Sequence, residues 1–296
     1  MKVWIRLLRV NQYVKNLVVF FPLFFAGKIL DTSLLEPAIL AFLSFCLSAS
    51  AVYIFNDTRD VLYDREHPKK KFRPIASGEI HASKALKVAF LLCVFGILLG
   101  YQVSLDLVSL LLVYLVINLA YSIVLKHIPI IDVFIVAFGF WLRLLAGSLA
   151  SGVPLSSWIQ LMTFLLAFFM ALAKRRDDVI LSSEDKSNTR KVVDGYSLEF
   201  LGLAMVLMGS VTIVCYIMYC FSPDVISRAG SENIVVTVIF VILGILRYMQ
   251  ITFVEYRSGS PVQVLYQDRF LKVVITLWLL CFVYFIYIDS LSVTNG

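Results

Sequence analysis

Nine stretches of this sequence are apolar for roughly the 17–25 residues that a helix needs to cross a bilayer. They lie near 15–31, 37–56, 85–102, 105–125, 129–150, 154–174, 198–221, 234–256 and 270–289. The chain is 60% hydrophobic and 16% charged, with a mean hydropathy of +0.88. A soluble chain carries roughly a quarter charged residues, so the surplus apolar surface requires lipid. The expectation is an all-α, polytopic integral membrane protein with nine transmembrane helices, forming one domain over 1–296. The first run is the weakest: "NLVVFFPLFFAG" is short and holds Pro22, so it is expected to tilt or enter at an angle. Its basic lead, "MKVWIRLLRVNQYVK", imitates a signal peptide, but no small-x-small cleavage site follows, and a retained helix is expected.

Charge sets the orientation. With the N-terminus inside, 22 of the 26 Lys and Arg residues fall in cytoplasmic segments. Lys28 and Arg228 fall outside, and Arg143 and Arg247 lie within spans. This follows the positive-inside rule and predicts a plasma (inner) membrane protein with a cytoplasmic N-terminus and an outer C-terminus. The net charge of +6 is thus a topology signal, and nucleic acid is not expected as a partner. Outer loops such as "ASGVPLSS" are short and nearly uncharged, whereas inner loops mix acids with bases. Topology alone requires no acids, so chemistry is expected on the cytoplasmic side, near 57–84, 125–129, 175–197 and 257–269. Cys46, Cys93, Cys215, Cys220 and Cys281 sit in apolar runs without a C-x-x-C pair and read as small buried hydrophobes. His67, His81 and His127 lack metal-ligand spacing. No internal repeat of the kind found in many transporters is evident.

The acids concentrate directly after the second run, in "NDTRDVLYDREHPKKKFRPIASGEI", 56–80. Asn56, Asp60 and Asp64 are spaced i, i+4, i+8, which on a continuous helix places them on one face. Oxygen ligands on one wall, completed by water and phosphate, suit Mg2+. Asp57 lies about 100° round the helix and would flank that set. Pro68 is expected to stop the helix. The following "KKKFRP" brings Lys70 and Arg73 toward the same mouth, with Arg65 just before it. Acids with a metal beside Lys and Arg form a pyrophosphate-binding chemistry, although Lys69 to Lys71 also read simply as topology-setting bases.

"NDTRDVLYD" resembles the first aspartate-rich motif of the UbiA superfamily of membrane prenyltransferases. Nine helices around a central cavity open to the cytoplasm are the fold this implies. Five blocks narrow the resemblance: "RVNQYVKNLVVFFPLFFAGKI", "NDTRDVLYDREHPKKKFRPIASGEI", "YSIVLKHIPIIDVFIVAFGFWLRLLAG", "ALAKRRDD" and "SPVQVLYQDR". Together they are similar to the decaprenyl-phosphate phosphoribosyltransferase branch, over nearly the whole chain. The resemblance implies a Mg2+-dependent transfer of 5-phosphoribose from 5-phosphoribosyl diphosphate to a polyprenyl phosphate, serving arabinose-type precursors of the cell envelope. Ordinary superfamily members instead move a prenyl group from its diphosphate to an aromatic acceptor. Their second aspartate-rich motif would fall after the sixth run, where this chain reads "AKRRDDVILSSEDKS". Lys174 and Arg175 there, with Asp178 close by, suit a donor and acceptor that bring more phosphates.

Other candidates carry two readings each. Lys15 and Asn16 are either phosphate contacts or an interface anchor. Lys126 can reach a phosphate, and Tyr121 either bonds ribose or phosphate or belongs to the interfacial aromatic belt. Asp132 either takes part or caps its helix. Arg143, deep in a run, must face the interior, as a structural partner or near the lipid phosphate. Arg247 and Tyr248 share that ambiguity, and Asp268 and Arg269 either take part or brace the last inner loop. The rivals to the transferase are an aromatic prenyltransferase and, from another class, an anionic-solute transporter.

Overall fold

A computed structural model describes residues 2–67, 70–184, 195–229, 232–256 and 261–289, and every regular element among them is helical. In chain order these are α1 (Lys2–Leu8), a 3-10 helix (Val10–Phe20), α2 (Phe21–Phe25), α3 (Thr32–Arg59), α4 (Val61–Glu66), α5 (Ala82–Val103) and α6 (Leu105–Ile123). A short 3-10 turn (Leu125–His127) leads to α7 (Ile131–Ser151) and α8 (Ser157–Glu184). Then come α9 (Leu198–Cys220), α10 (Pro223–Ala229), α11 (Val238–Phe253), α12 (Pro261–Gln267) and α13 (Arg269–Val283).

Polar residues end the apolar runs and supply the caps. Asp31 accepts from Ser33 N–H at 3.0 Å to start α3, and Ser104 accepts from Leu107 N–H at 3.1 Å to start α6. Ser197 and Asp268 do the same for α9 and α13, from Phe200 N–H at 3.0 Å and Leu271 N–H at 2.8 Å. Each cap satisfies a donor that the helix itself leaves unpaired.

The bundle buries polar residues within its apolar core and turns large apolar side chains outward. Ser44, Ser48, Asn16, Arg143, Asp132 and Thr252 are buried, while Phe90, Leu203, Val214 and Leu280 stand exposed. In water this would be unstable; in lipid, polar groups are retained inward where helices satisfy one another, as where Ser44 Oγ donates to Gly96 O at 2.5 Å between α3 and α5. Eight helical segments among the described residues are long and apolar enough to cross a bilayer. The chain is a multi-pass membrane protein.

The ninth predicted span takes another form. Residues 10–25 are not one long α-helix but eleven residues of 3-10 helix followed by five of α-helix. At about 2.0 Å and 1.5 Å per residue this reaches roughly 30 Å, close to the hydrocarbon thickness, on fewer residues than an α-helix needs. A 3-10 helix repeats every three residues, and every third side chain here meets the bundle. Tyr13 OH bonds Ser50 Oγ at 2.9 Å, Asn16 Nδ2 donates to Cys46 Sγ at 3.1 Å, and Val19 is wholly buried. Gly147 of α7 makes the closest approach possible, because a Cβ there would fall 1.9 Å from Val19 O.

At the other end, α1 covers the turn after α4. Leu7 is buried among Ile54, Ile75 and Ile80, and Arg6 binds Glu79 at 2.5 Å. This docking brings the chain on either side, Arg9 and Arg73, to the end of α3.

Candidate active site

The aspartate motif sits where α3 gives way to α4. Asp60 lies between them at φ −90°, ψ 6°, so the single continuous helix expected through Asp64 is interrupted at its middle acid. Backbone bonds bridge the break: Asp60 N–H donates to Asn56 O at 2.9 Å and Asp64 N–H to Asp60 O at 2.8 Å. Asn56 Nδ2 donates to Asp60 Oδ2 at 3.1 Å. Asp57, Asp60 and Asp64 are only 4%, 7% and 2% exposed, so each carboxylate needs a charged partner.

Those partners come from three other segments. Arg73 Nη1 lies 3.0 Å from Asp57 Oδ1 and 2.6 Å from Asp64 Oδ2, bridging two acids seven residues apart. Asp57 thus shares Arg73 with Asp64. Arg9 also pairs with Asp57 Oδ1 and lies 4.9 Å over the Tyr53 ring. Arg9 has a left-handed backbone (φ 52°, ψ 45°) at the junction of α1 and the 3-10 helix. Lys126, from the turn before α7, reaches Asp60 Oδ1 at 2.5 Å.

The stretch at the end of α8 forms the opposite wall. Arg175, 6% exposed, pairs with Asp132 Oδ2 of α7 and with Asp178 Oδ2 at 2.9 Å. Tyr196 OH donates to Asp132 Oδ1 at 2.5 Å. Tyr121 lies within electrostatic reach of Arg175, and Asp178 within reach of His67 at the end of α4, so the two walls face one mouth. Burial and the nearby Lys70 hold the His67 imidazole below its usual range, which keeps it neutral at neutral pH.

Other candidates stand elsewhere. Lys174 is exposed on α8, on a different face from buried Arg175. Arg176 donates to Thr252 O at 2.8 Å and lies 4.7 Å over Phe253, pinning α8 to the end of α11. Arg65 donates through Nε to Ala76 O at 3.2 Å and braces the turn. Lys70 N–H donates to His67 Nδ1 at 3.3 Å. Lys15 is partly buried within reach of Arg9 and Arg143. Arg143 is buried beside Asn16, not beside the carboxylates: Nε donates to Asn16 Oδ1 at 2.6 Å, Nη1 to Gly139 O at 2.6 Å and Nη2 to Tyr114 OH at 3.1 Å. Arg247 pairs with Asp268 at 2.5 Å and Glu255 at 2.7 Å, a brace for the last inner loop. Pro68, Lys69 and the acidic and basic loop 185–194 lie outside the described residues.

Sequence reasoning missed Arg9 and Tyr196. Arg9 reads as one topology-setting base among several, and its only signal is its place at the head of the "RVNQYVKN" block. Tyr196 carries no motif.

Asn56, Asp60 and Asp64 offer oxygen donors only, which suits Mg2+. Among the described residues no three His, Cys, Asp or Glu side chains converge as a ready-made cluster. Cationic side chains hold the space instead: Arg73 between Asp57 and Asp64, and Lys126 against Asp60. Buried acids that gather cations in this way have the charge and donor chemistry for a divalent ion, and the residues fit the metal.

A family model described as the UbiA prenyltransferase family matches residues 17–274. The decaprenyl-phosphate phosphoribosyltransferase of Mycolicibacterium smegmatis is 33% identical over 285 residues, 93% of this chain and 89% of that protein. Its counterpart in Corynebacterium glutamicum is 32% identical over 288 residues, 96% of this chain and 86% of that protein. Among solved structures, a UbiA homolog from Archaeoglobus fulgidus bound to GPP and Mg2+ superposes with a TM-score of 0.71 at 19% identity, covering 96% of this chain and 99% of that one.

Proposed function

This chain belongs to the UbiA prenyltransferase family, and we propose that it transfers 5-phosphoribose from 5-phosphoribosyl diphosphate to a polyprenyl phosphate, releasing pyrophosphate. The observation that carries this is Arg175, a buried arginine at the end of α8 held between Asp132 and Asp178. With Arg9, Arg73 and Lys126 it gives the mouth four basic side chains against its buried acids. A donor carrying a 5-phosphate and a diphosphate, next to an acceptor phosphate, offers more anionic groups for several such cations to bind than a prenyl diphosphate and a neutral ring do. The similarity to two named decaprenyl-phosphate phosphoribosyltransferases over more than nine-tenths of the chain supports the same reading.

Asn56, Asp60 and Asp64 would hold Mg2+, which when bound would neutralise charge on the departing pyrophosphate. An acceptor phosphate oxygen attacks the anomeric carbon; the bond from that carbon to the diphosphate oxygen breaks, and its electron pair leaves with pyrophosphate. The sugar carbon gains oxocarbenium character on the way. The acceptor is already an anion, so no strong base is required. Arg9, Arg73, Lys126 and Arg175 hold the phosphates in place and screen their mutual repulsion. The N-terminus and the mouth face the cytoplasm across the plasma membrane, where the basic segments collect.

Membranes holding the chain, given phosphoribosyl diphosphate labelled in the ribose and a polyprenyl phosphate, test the reaction. Label is expected in the lipid phase together with released pyrophosphate. Absence of lipid label, with transfer of a prenyl group to an aromatic acceptor in parallel reactions, would overturn it.

A further inference from the structure

Tyr196 binds the start of α7 twice through one oxygen. Its hydroxyl accepts from Ile130 N–H at 2.6 Å and donates to Asp132 Oδ1 at 2.5 Å, while the other oxygen of Asp132 pairs with Arg175. The residue before it is equally tightly placed, since a Cβ on Gly195 would stand 2.3 Å from Pro129 Cγ. Gly195 and Tyr196 therefore dock side by side on Pro129 and Ile130.

The docked turn is strained. Ile130 has φ 70° and ψ −44°, a region that a β-branched residue avoids. Such a backbone persists only where its surroundings over-determine it. Here the surroundings are the Tyr196 hydrogen bond and the Gly195 contact. The same turn begins with Leu125–His127, which carries Lys126 to Asp60. Burial, and then the bond to Asp132, push the Tyr196 phenol above its usual range, so it remains a donor at neutral pH.

We propose that Tyr196 is a positioning residue for the diphosphate of the donor. Through Asp132 it fixes the direction of Arg175, and through Ile130 it fixes the turn that presents Lys126. This rests on the reading that Arg175 meets substrate phosphate. A packing role alone would leave anion affinity untouched.

The test is titration calorimetry of inorganic pyrophosphate, with Mg2+, into the purified full-length chain, as wild type, Tyr196→Phe, Arg175→Gln and the double variant. Thermal unfolding of each variant is followed in parallel. Tyr196→Phe is expected to weaken pyrophosphate about tenfold, the scale of one hydrogen bond to a charged group. In the Arg175→Gln background the same change is expected to weaken affinity by clearly less than about tenfold, because only the route through Ile130 and Lys126 remains and coupled residues are not additive. Asp132→Asn keeps an acceptor for the phenol but removes the charge facing Arg175, and serves where Tyr196→Phe fails to fold. It is expected to weaken pyrophosphate in the wild type and not in Arg175→Gln. Unchanged affinity in the single variants, or equal weakening in both backgrounds, would overturn the proposal. A wild type that does not bind pyrophosphate would instead sink the functional reading, and this inference with it.

Discussion

Lys126 holds its ammonium 2.5 Å from Asp60 Oδ1, and both side chains are withdrawn from solvent. Breaking such a buried pair on one side leaves an uncompensated charge, at a cost of roughly 3–5 kcal/mol. Lys126→Met is therefore expected to lower the melting temperature in detergent and to abolish transfer. Adding Asp60→Asn removes the orphaned charge, so the double variant recovers melting temperature but not activity. Recovery of both would show that the pair serves only folding.

The metal assignment is tested at the acids themselves. Asp60→Ala and Asp64→Ala each leave a chain that still inserts into the membrane. Each is expected to lose at least about 100- to 1000-fold in turnover, the scale of losing one preorganised electrostatic contact. Chelation of divalent ions should silence the wild type reversibly. Near-wild-type turnover by purified Asp60→Ala would remove the ligand role of that residue.

Arg9 and Arg143 are expected to behave oppositely, although both are arginines near the first segment. Arg9 shares Asp57 with Arg73, so Arg9→Met should raise KM for phosphoribosyl diphosphate with little loss of fold. Arg143 spends its donors on Asn16, Gly139 O and Tyr114, away from the carboxylates. Arg143→Lys should lower the melting temperature yet leave donor KM within about threefold, since distant sites couple weakly. Paired Michaelis profiles and melting curves decide; a large rise in donor KM for Arg143→Lys would return that residue to the site.

Gly147→Ala should be disproportionately harmful for one methyl group. Its Cβ would meet Val19 O at 1.9 Å, a backbone atom that cannot rotate away. Overpacking of this kind costs about 1–3 kcal/mol or more. Reduced thermal stability in detergent is the measurement, and a neutral result would mean that the first segment sits more loosely on α7.

What could be read beforehand divides by physical cause. Eight spans were legible because apolar length in lipid is nearly sufficient to define a helix, as at Thr32–Arg59 and Leu198–Cys220. Asp57, Asp60 and Asp64 were legible because topology alone requires bases but no acids directly after such a run. The partnership of Asp57 with Asp64 was not, because helical spacing says nothing of a guanidinium arriving from Arg73. Likewise "AKRR" is four consecutive letters, and only tertiary packing turns Arg175 inward while Lys174 stays exposed. Tyr196 lies in a stretch without periodicity, so nothing local marked it.

The drawn-out first segment has a consequence for how this chain can vary. Its contacts repeat every third residue, at Tyr13, Asn16 and Val19. One inserted residue would swing everything toward the N-terminus, Arg9 included, by about 120°. Three inserted residues would restore the phase but displace Arg9 by about 6 Å, beyond reach of Asp57. Angle and distance cannot both be kept, so the spacing between Arg9 and Val19 is a fixed gauge, closed to insertion and deletion even where its individual letters can change.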